Sequence, residues 1–195
     1  MAYTAGHADR GRRPYNGMSA PPARILVYGV TGAGKTTLAR RIGERFGLPW
    51  HSVDDLTWEP GWVQVPVEVQ RARIAAVCAQ ERWVLDHAYG AWLDLPLSRA
   101  DLVIGLDFPR WLSLGRLVRR TVVRMVRRER VCNGNVESLR VTLSRESIIV
   151  WHFQSFARKR QRMRAWTADP YMPAVLLFRR PSEVEAWLEH SLKTS

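Results

Sequence analysis

The chain alternates short apolar runs with longer stretches whose apolar positions recur every three or four residues. Arg24 to Tyr28 (RILVY) is almost wholly apolar and stops on Gly29, the pattern of a strand buried on both faces. Thr36 to Phe46 sets Leu38, Ile42 and Phe46 four residues apart, one face of a helix that Gly47 and Pro49 end. Trp50 to Val53 reads as a second strand ending in Asp54-Asp55, and Leu56 to Val65 as a loop. Pro66 opens a helix that runs to Arg82. Trp83 to Leu85 and Leu102 to Leu106 are a third and a fourth strand, stopping on Asp86 and Asp107. Pro109 then starts a long basic helix to about Arg128. A polar turn or lid, Arg130 to Leu139, precedes a second basic helix from Ser144 to Met163. Ala174 to Phe178 is the fifth strand, and Ser182 caps a last helix to Leu192. Residues 1–23, rich in Gly, Pro and Arg, follow neither period and predict a disordered tail ahead of one domain, 24–195.

Strands that alternate with helices predict an α/β fold, a five-stranded parallel sheet with helices on both faces. Ligands of such sheets lie at the carboxyl ends of the strands. Those ends carry Gly29, Asp54, Asp86 and Asp107.

At the first of them the chain reads GVTGAGKT, Gly29 to Thr36, which satisfies G-x-x-x-x-G-K-[ST] between a strand and a helix. Glycines at 29, 32 and 34 let the backbone turn its amides onto phosphate oxygens. The helix that follows adds its N-terminal dipole. Lys35 supplies a point charge for the β- and γ-phosphates, and the Thr36 hydroxyl a ligand for Mg²⁺. This predicts a P-loop NTPase fold with ATP and Mg²⁺ as cofactors. The nucleotide-binding set is Gly29, Thr31, Gly32, Ala33, Gly34, Lys35, Thr36 and Thr37. The motif alone does not separate a kinase from a GTPase or a motor.

Charge adds a second feature. The net +12 lies wholly between Arg110 and Arg164, where 15 Lys+Arg face three acids. Arg116, Arg119, Arg120, Arg124, Arg127 and Arg128 recur along one helical face, an Arg-rich helical lid spanning about 119–165. Such a face suits phosphates or, as the alternative, nucleic acid. Cys78 and Cys132 lack metal-ligand neighbours and read as ordinary thiols of a reducing compartment. With neither an apolar leader nor a run long enough to span a bilayer, the expected location is cytoplasmic and away from membrane.

Beyond the cradle, the blocks VDDLTWEPGW, WVLDHAYG, ADLVIGLDFPRW, RLVRR, NGNVESL and RRPSEVEAWL carry a family resemblance. The chain resembles the adenylate-kinase-like branch of P-loop kinases. Within it, the chain is most similar to the small kinase-like proteins known as DNA topology-modulation proteins. The resemblance implies that Asp86 positions Mg²⁺ through water, although the family usually has glycine where this chain has His87. It implies that an acid after the second strand orients the acceptor; Asp54 and Asp55 are both candidates, Asp55 the preferred one. It assigns Arg116 and Arg120 to the ATP base and phosphates, and sets the Arg179–Ser182 loop beneath the adenine. Asp107 is implied to be structural. Asn133, Asn135 and Glu137 match the family's turn element without an assigned chemistry. The function implied is transfer of the ATP γ-phosphoryl to an unknown small acceptor, with Lys35, Asp55, Asp86, Arg116 and Arg120 as the catalytic set. An ATP-binding, nucleic-acid-associated regulator is the alternative, and an ATPase switch a third reading.

Overall fold

The structure, a computed structural model, describes residues 21–127, 130–131, 135–136 and 148–190. Along the chain the elements are β1 (Arg24–Gly29), α1 (Lys35–Phe46), β2 (Trp50–His51), α2 (Val53–Thr57), β3 (Trp58–Glu59) and β4 (Val63–Gln64). There follow α3 (Val67–Cys78), β5 (Trp83–Leu85), α4 (Asp94–Arg99), β6 (Leu102–Leu106) and α5 (Arg110–Arg127). The last are β7 (Arg130–Val131), β8 (Asn135–Val136), α6 (Ile148–Trp166), β9 (Ala174–Phe178) and α7 (Pro181–His190).

Five strands form one parallel sheet in the order β2-β5-β1-β6-β9. Strand β1 is central, with Leu26 beside Leu85 on one side and Gly29 beside Leu106 on the other. Successive β1 residues feed opposite cores, which explains a run without polar alternation. Ile25 and Val27 pack with Leu38, Ile42, Ile104 and Phe178. Leu26 and Tyr28 pack with Ile74, Trp92, Val103, Met163 and Trp166.

Several boundaries differ from the sequence expectation. Ala23, assigned to the tail, is part of the fold: its carbonyl accepts from the Trp83 amide and its amide donates to Asp101. The loop over Leu56–Val65 holds the end of α2 and the small antiparallel hairpin β3–β4. Helix α4 was not foreseen, because Pro96 inside it reads as a breaker. Helix α7 begins at Pro181, so Ser182 lies inside its first turn. The Glu183 carboxylate instead accepts from the Arg179 and Arg180 amides (2.6 and 3.3 Å). The expected turn or lid contains the β7–β8 pair. Asn133, Glu137, Arg128 and the start of the second basic helix lie outside the described residues, as does Cys132. Cys78 is buried, which pushes its thiol up to about 11 and makes it an inert core thiol.

Asp107, at the end of β6, docks α6 onto the sheet. Its side chain is fully buried and accepts from Arg160 Nε and from Arg164 Nε, the latter at 2.9 Å. Its backbone amide donates to Phe178, tying β6 to β9 (2.8 Å). The two guanidiniums are 29% and 52% exposed and can return to water if the acid is lost. Asp107→Asn should therefore cost about 1–3 kcal/mol rather than the larger loss of a fully buried pair. Urea unfolding checks this, and an unchanged stability contradicts the docking role.

Candidate active site

The cradle is shaped by close approach. Gly32 (φ 81) and Gly34 (φ 95) take left-handed backbone between β1 and α1. A Cβ on Gly32 would lie 2.2 Å from the Ser113 carbonyl of α5, so the loop is pressed directly on that helix. Gly34 begins α1 with no side-chain cap, and the first amides of the helix face the cradle. Lys35 Nζ donates to the Val30 carbonyl (2.9 Å). Burial pushes Lys35 down to about 8, opposed by Asp86 and Asp54 and reinforced by Arg120. Thr36 and Thr37 are exposed at the mouth of the loop.

Asp86 follows β5 and is buried. Its Oδ1 accepts from the Val53 amide (2.9 Å), and the Thr36 hydroxyl lies near enough to favour its charged form. Burial raises its pKa against those groups and the nearby Lys35. One carboxylate therefore joins the cradle, β5 and the start of α2.

Asp54 and Asp55 are not at a strand end. Strand β2 stops at His51, and both acids occupy the first turn of α2, which Ser52 caps by accepting from the Asp55 amide (3.4 Å). The two acids are exposed. Neighbouring helix positions point about 100° apart, so only one can face the cradle squarely. Asp54 accepts from the Tyr89 hydroxyl (3.3 Å), and its charge acts on Lys35, Asp86 and Lys159.

From the other side, Arg116 of α5 donates to the Ala33 carbonyl (3.3 Å) and lies over the Phe108 ring (5.6 Å). Arg120 is close enough to depress Lys35. Helix α6 contributes two residues that sequence reasoning missed. His152, fully buried, donates from Nδ1 to the Thr31 carbonyl (3.0 Å) and so clamps the cradle from behind. Lys159 is 7% exposed, and its Nζ stands 3.5 Å from His87 Nε2. His87 stacks on Tyr28 and meets Tyr89 edge-on. A signal for both residues was present. His152, Ser155, Phe156, Lys159, Met163 and Trp166 are all buried and follow helical spacing, so Lys159 holds a core position of a basic helix.

The groups fit their expected ligands. Left-handed glycines and uncapped amides suit phosphate. Thr36 and Asp86 offer hard oxygen donors, as Mg²⁺ requires when phosphates supply most of its shell. Among the described residues no group of three His, Cys, Asp or Glu forms a self-sufficient metal site.

Solved structures share this arrangement of strands and helices. A sugar kinase from Janibacter sp. HTCC2649 aligns over 89% of this chain and 94% of its own, at 17% identity and a TM-score of 0.50. A shikimate kinase from Bacteroides thetaiotaomicron covers 89% and 98%, at 15% identity and a TM-score of 0.51. The fold is that of the P-loop kinases. At these identities the likeness speaks for the fold alone. The chain matches no family model and none of the curated proteins. Among the described residues no helix is long and apolar enough to cross a membrane.

The His152 clamp has a pH signature. Burial, with Arg110, Lys159 and Lys35 nearby, lowers His152 below its usual 6.5 against the Thr31 bond. The unfolded chain then takes up the proton more readily than the fold. This contribution to stability is intact above about pH 6.5 and is lost as pH falls from there towards the lowered folded value. His87, also depressed by burial, adds to the same loss. His152→Asn keeps an N–H donor for Thr31 but does not titrate. Its urea-unfolding stability should fall less steeply than wild type between about pH 6.5 and pH 5. Equal slopes contradict the clamp.

Proposed function

We propose that this chain is an ATP-dependent phosphotransferase that passes the γ-phosphoryl of ATP to a small acceptor. The observation that carries the reading is the position of Asp86. It binds the helix that bears Asp54, through the Val53 amide, and stands within the field of Lys35 and Thr36 of the phosphate cradle. Donor and acceptor sides thus share one buried carboxylate.

In this reading Gly29, Thr31, Gly32, Ala33, Gly34 and Thr37 hold the triphosphate with Lys35, while Thr36 and Asp86 hold Mg²⁺. The bound ion would neutralise charge on the phosphates. Asp54 orients the acceptor hydroxyl: it accepts from Tyr89, and its charge acts on Lys35. Arg116 and Arg120 stabilise charge on the moving phosphoryl group, fixed donors needing no rearrangement during transfer. Transfer rather than hydrolysis requires water to be kept from the phosphoryl.

The nucleic-acid-associated reading, with its likeness to topology-modulation proteins, draws on the same basic helices. Several arginines there make contacts within the fold. Arg116 binds the cradle, Arg160 and Arg164 bind Asp107, and Arg110 lies over Phe156 (4.5 Å). That commitment favours the kinase reading.

Lys35→Ala separates the two. Wild type with ATP and Mg²⁺ should release ADP faster with one or more small hydroxyl acceptors than without. Lys35→Ala should lose about a hundredfold or more of that rate, as expected when a charge on the transferring group is removed. A coupled ADP assay over sugars, sugar acids, nucleosides and nucleotides reads this. No acceptor raising the rate above the Lys35→Ala background contradicts the reading.

A further inference from the structure

Lys159 is a buried cation without a buried anion beside it. Its one hydrogen-bond partner among the described residues is the His87 ring, at the long distance of 3.5 Å. An ammonium has three protons to place, and a neutral imidazole nitrogen satisfies one. With Nε2 accepting from Lys159, the His87 proton sits on Nδ1, which is buried and has no partner among the described residues. Two further cations flank the site. Arg162 donates to the Tyr28 hydroxyl (3.5 Å), and Arg158 acts on both Tyr28 and Lys159. Lys35 adds to the same field, and Asp54 is the acid that opposes it. A buried charge is costly unless it is paired. Burial with those neighbours lowers Lys159 to about 7, so the ammonium is held ready but poorly stabilised.

The place of this cluster tells what would complete it. Asp54 bonds Tyr89, Tyr89 meets His87 edge-on (4.8 Å), and His87 meets Lys159. These contacts thus lead from the acceptor acid to a cluster of unsatisfied donors, with Trp92 packed behind Tyr89 (5.6 Å). We propose that Lys159, flanked by Arg158 and Arg162, binds a carboxylate or phosphate carried by the acceptor. This rests on the kinase reading and sharpens it. The acceptor presents its hydroxyl at Asp54 and its anionic group at Lys159, and neutral sugars or nucleosides are poor substrates.

Calorimetric titration tests this with probes in acid and neutral pairs, the protein being preloaded with ADP and Mg²⁺. The pairs are shikimate and its methyl ester, gluconate and glucose, and cytidine monophosphate and cytidine. At least one acid should bind tighter than its neutral partner by about tenfold or more, the worth of one charge-assisted hydrogen bond. Lys159→Gln should abolish that preference, and Lys159→Arg should keep most of it. A preference confined to shikimate or gluconate assigns the site to carboxylate, and one confined to cytidine monophosphate assigns it to phosphate. Failure of every acid to bind, equal binding within pairs, or a preference that survives Lys159→Gln overturns the assignment. So does an equal loss of ADP affinity in Lys159→Gln, which would give Lys159 to the donor. ADP release from ATP is read separately. Acids that bind at Lys159 without accelerating release leave the anion site standing and remove the kinase reading.

Discussion

Asp86 is a carboxylate set in a buried position, and the placement of the site depends on it. Burial raises the free energy of its charged form, and three groups answer: the Val53 amide, the Thr36 hydroxyl and the nearby Lys35. They come from two segments, the start of α2 and the start of α1. Val53 opens the helix that bears Asp54, and Lys35 and Thr36 stand at the start of α1, at the end of the glycine-rich loop. Satisfying one buried acid therefore sets α2 against the P-loop. Without it, Asp54 would have no fixed relation to the phosphates.

The concentrated positive charge has a corresponding logic. A run of 15 cations resembles a solvated or nucleic-acid-binding face when read along the chain. In the fold several of these cations are engaged within the protein. Arg160 and Arg164 fasten α6 to the end of β6 through Asp107, and Arg116 fastens α5 to the loop. The returning helix can then bring His152 to the Thr31 carbonyl and Lys159 to His87. Basic residues both build the site and set its field.

The sheet and the cradle were legible because their signals are local. RILVYG needs only its own apolarity to be a central strand, and GVTGAGKT needs only glycine freedom and a following helix. The acceptor side was legible in part. Ser52 followed three residues on by Asp55 is a helix-start signature, yet Trp50 to Val53 reads equally well as a strand. That ambiguity set the acids at a strand end, whereas they occupy a helical turn. The contacts of α6 were not legible as contacts. His152 reaches Thr31 across 121 positions, and Lys159 reaches His87 across 72. Only the helical spacing of Lys159 with Phe156 and Met163 marked it, and a lysine inside an arginine-rich stretch reads as surface.

In the proposed reaction the γ-phosphoryl leaves ATP for an acceptor oriented at Asp54 and not for water. Phosphorus NMR of the full chain with ATP, Mg²⁺ and the best acceptor follows that group directly. An ester resonance should grow as the γ signal falls, with little inorganic phosphate, and ester formation should slow markedly in Asp54→Asn. Inorganic phosphate as the sole product, at the same rate with and without acceptor, would contradict the proposed reaction.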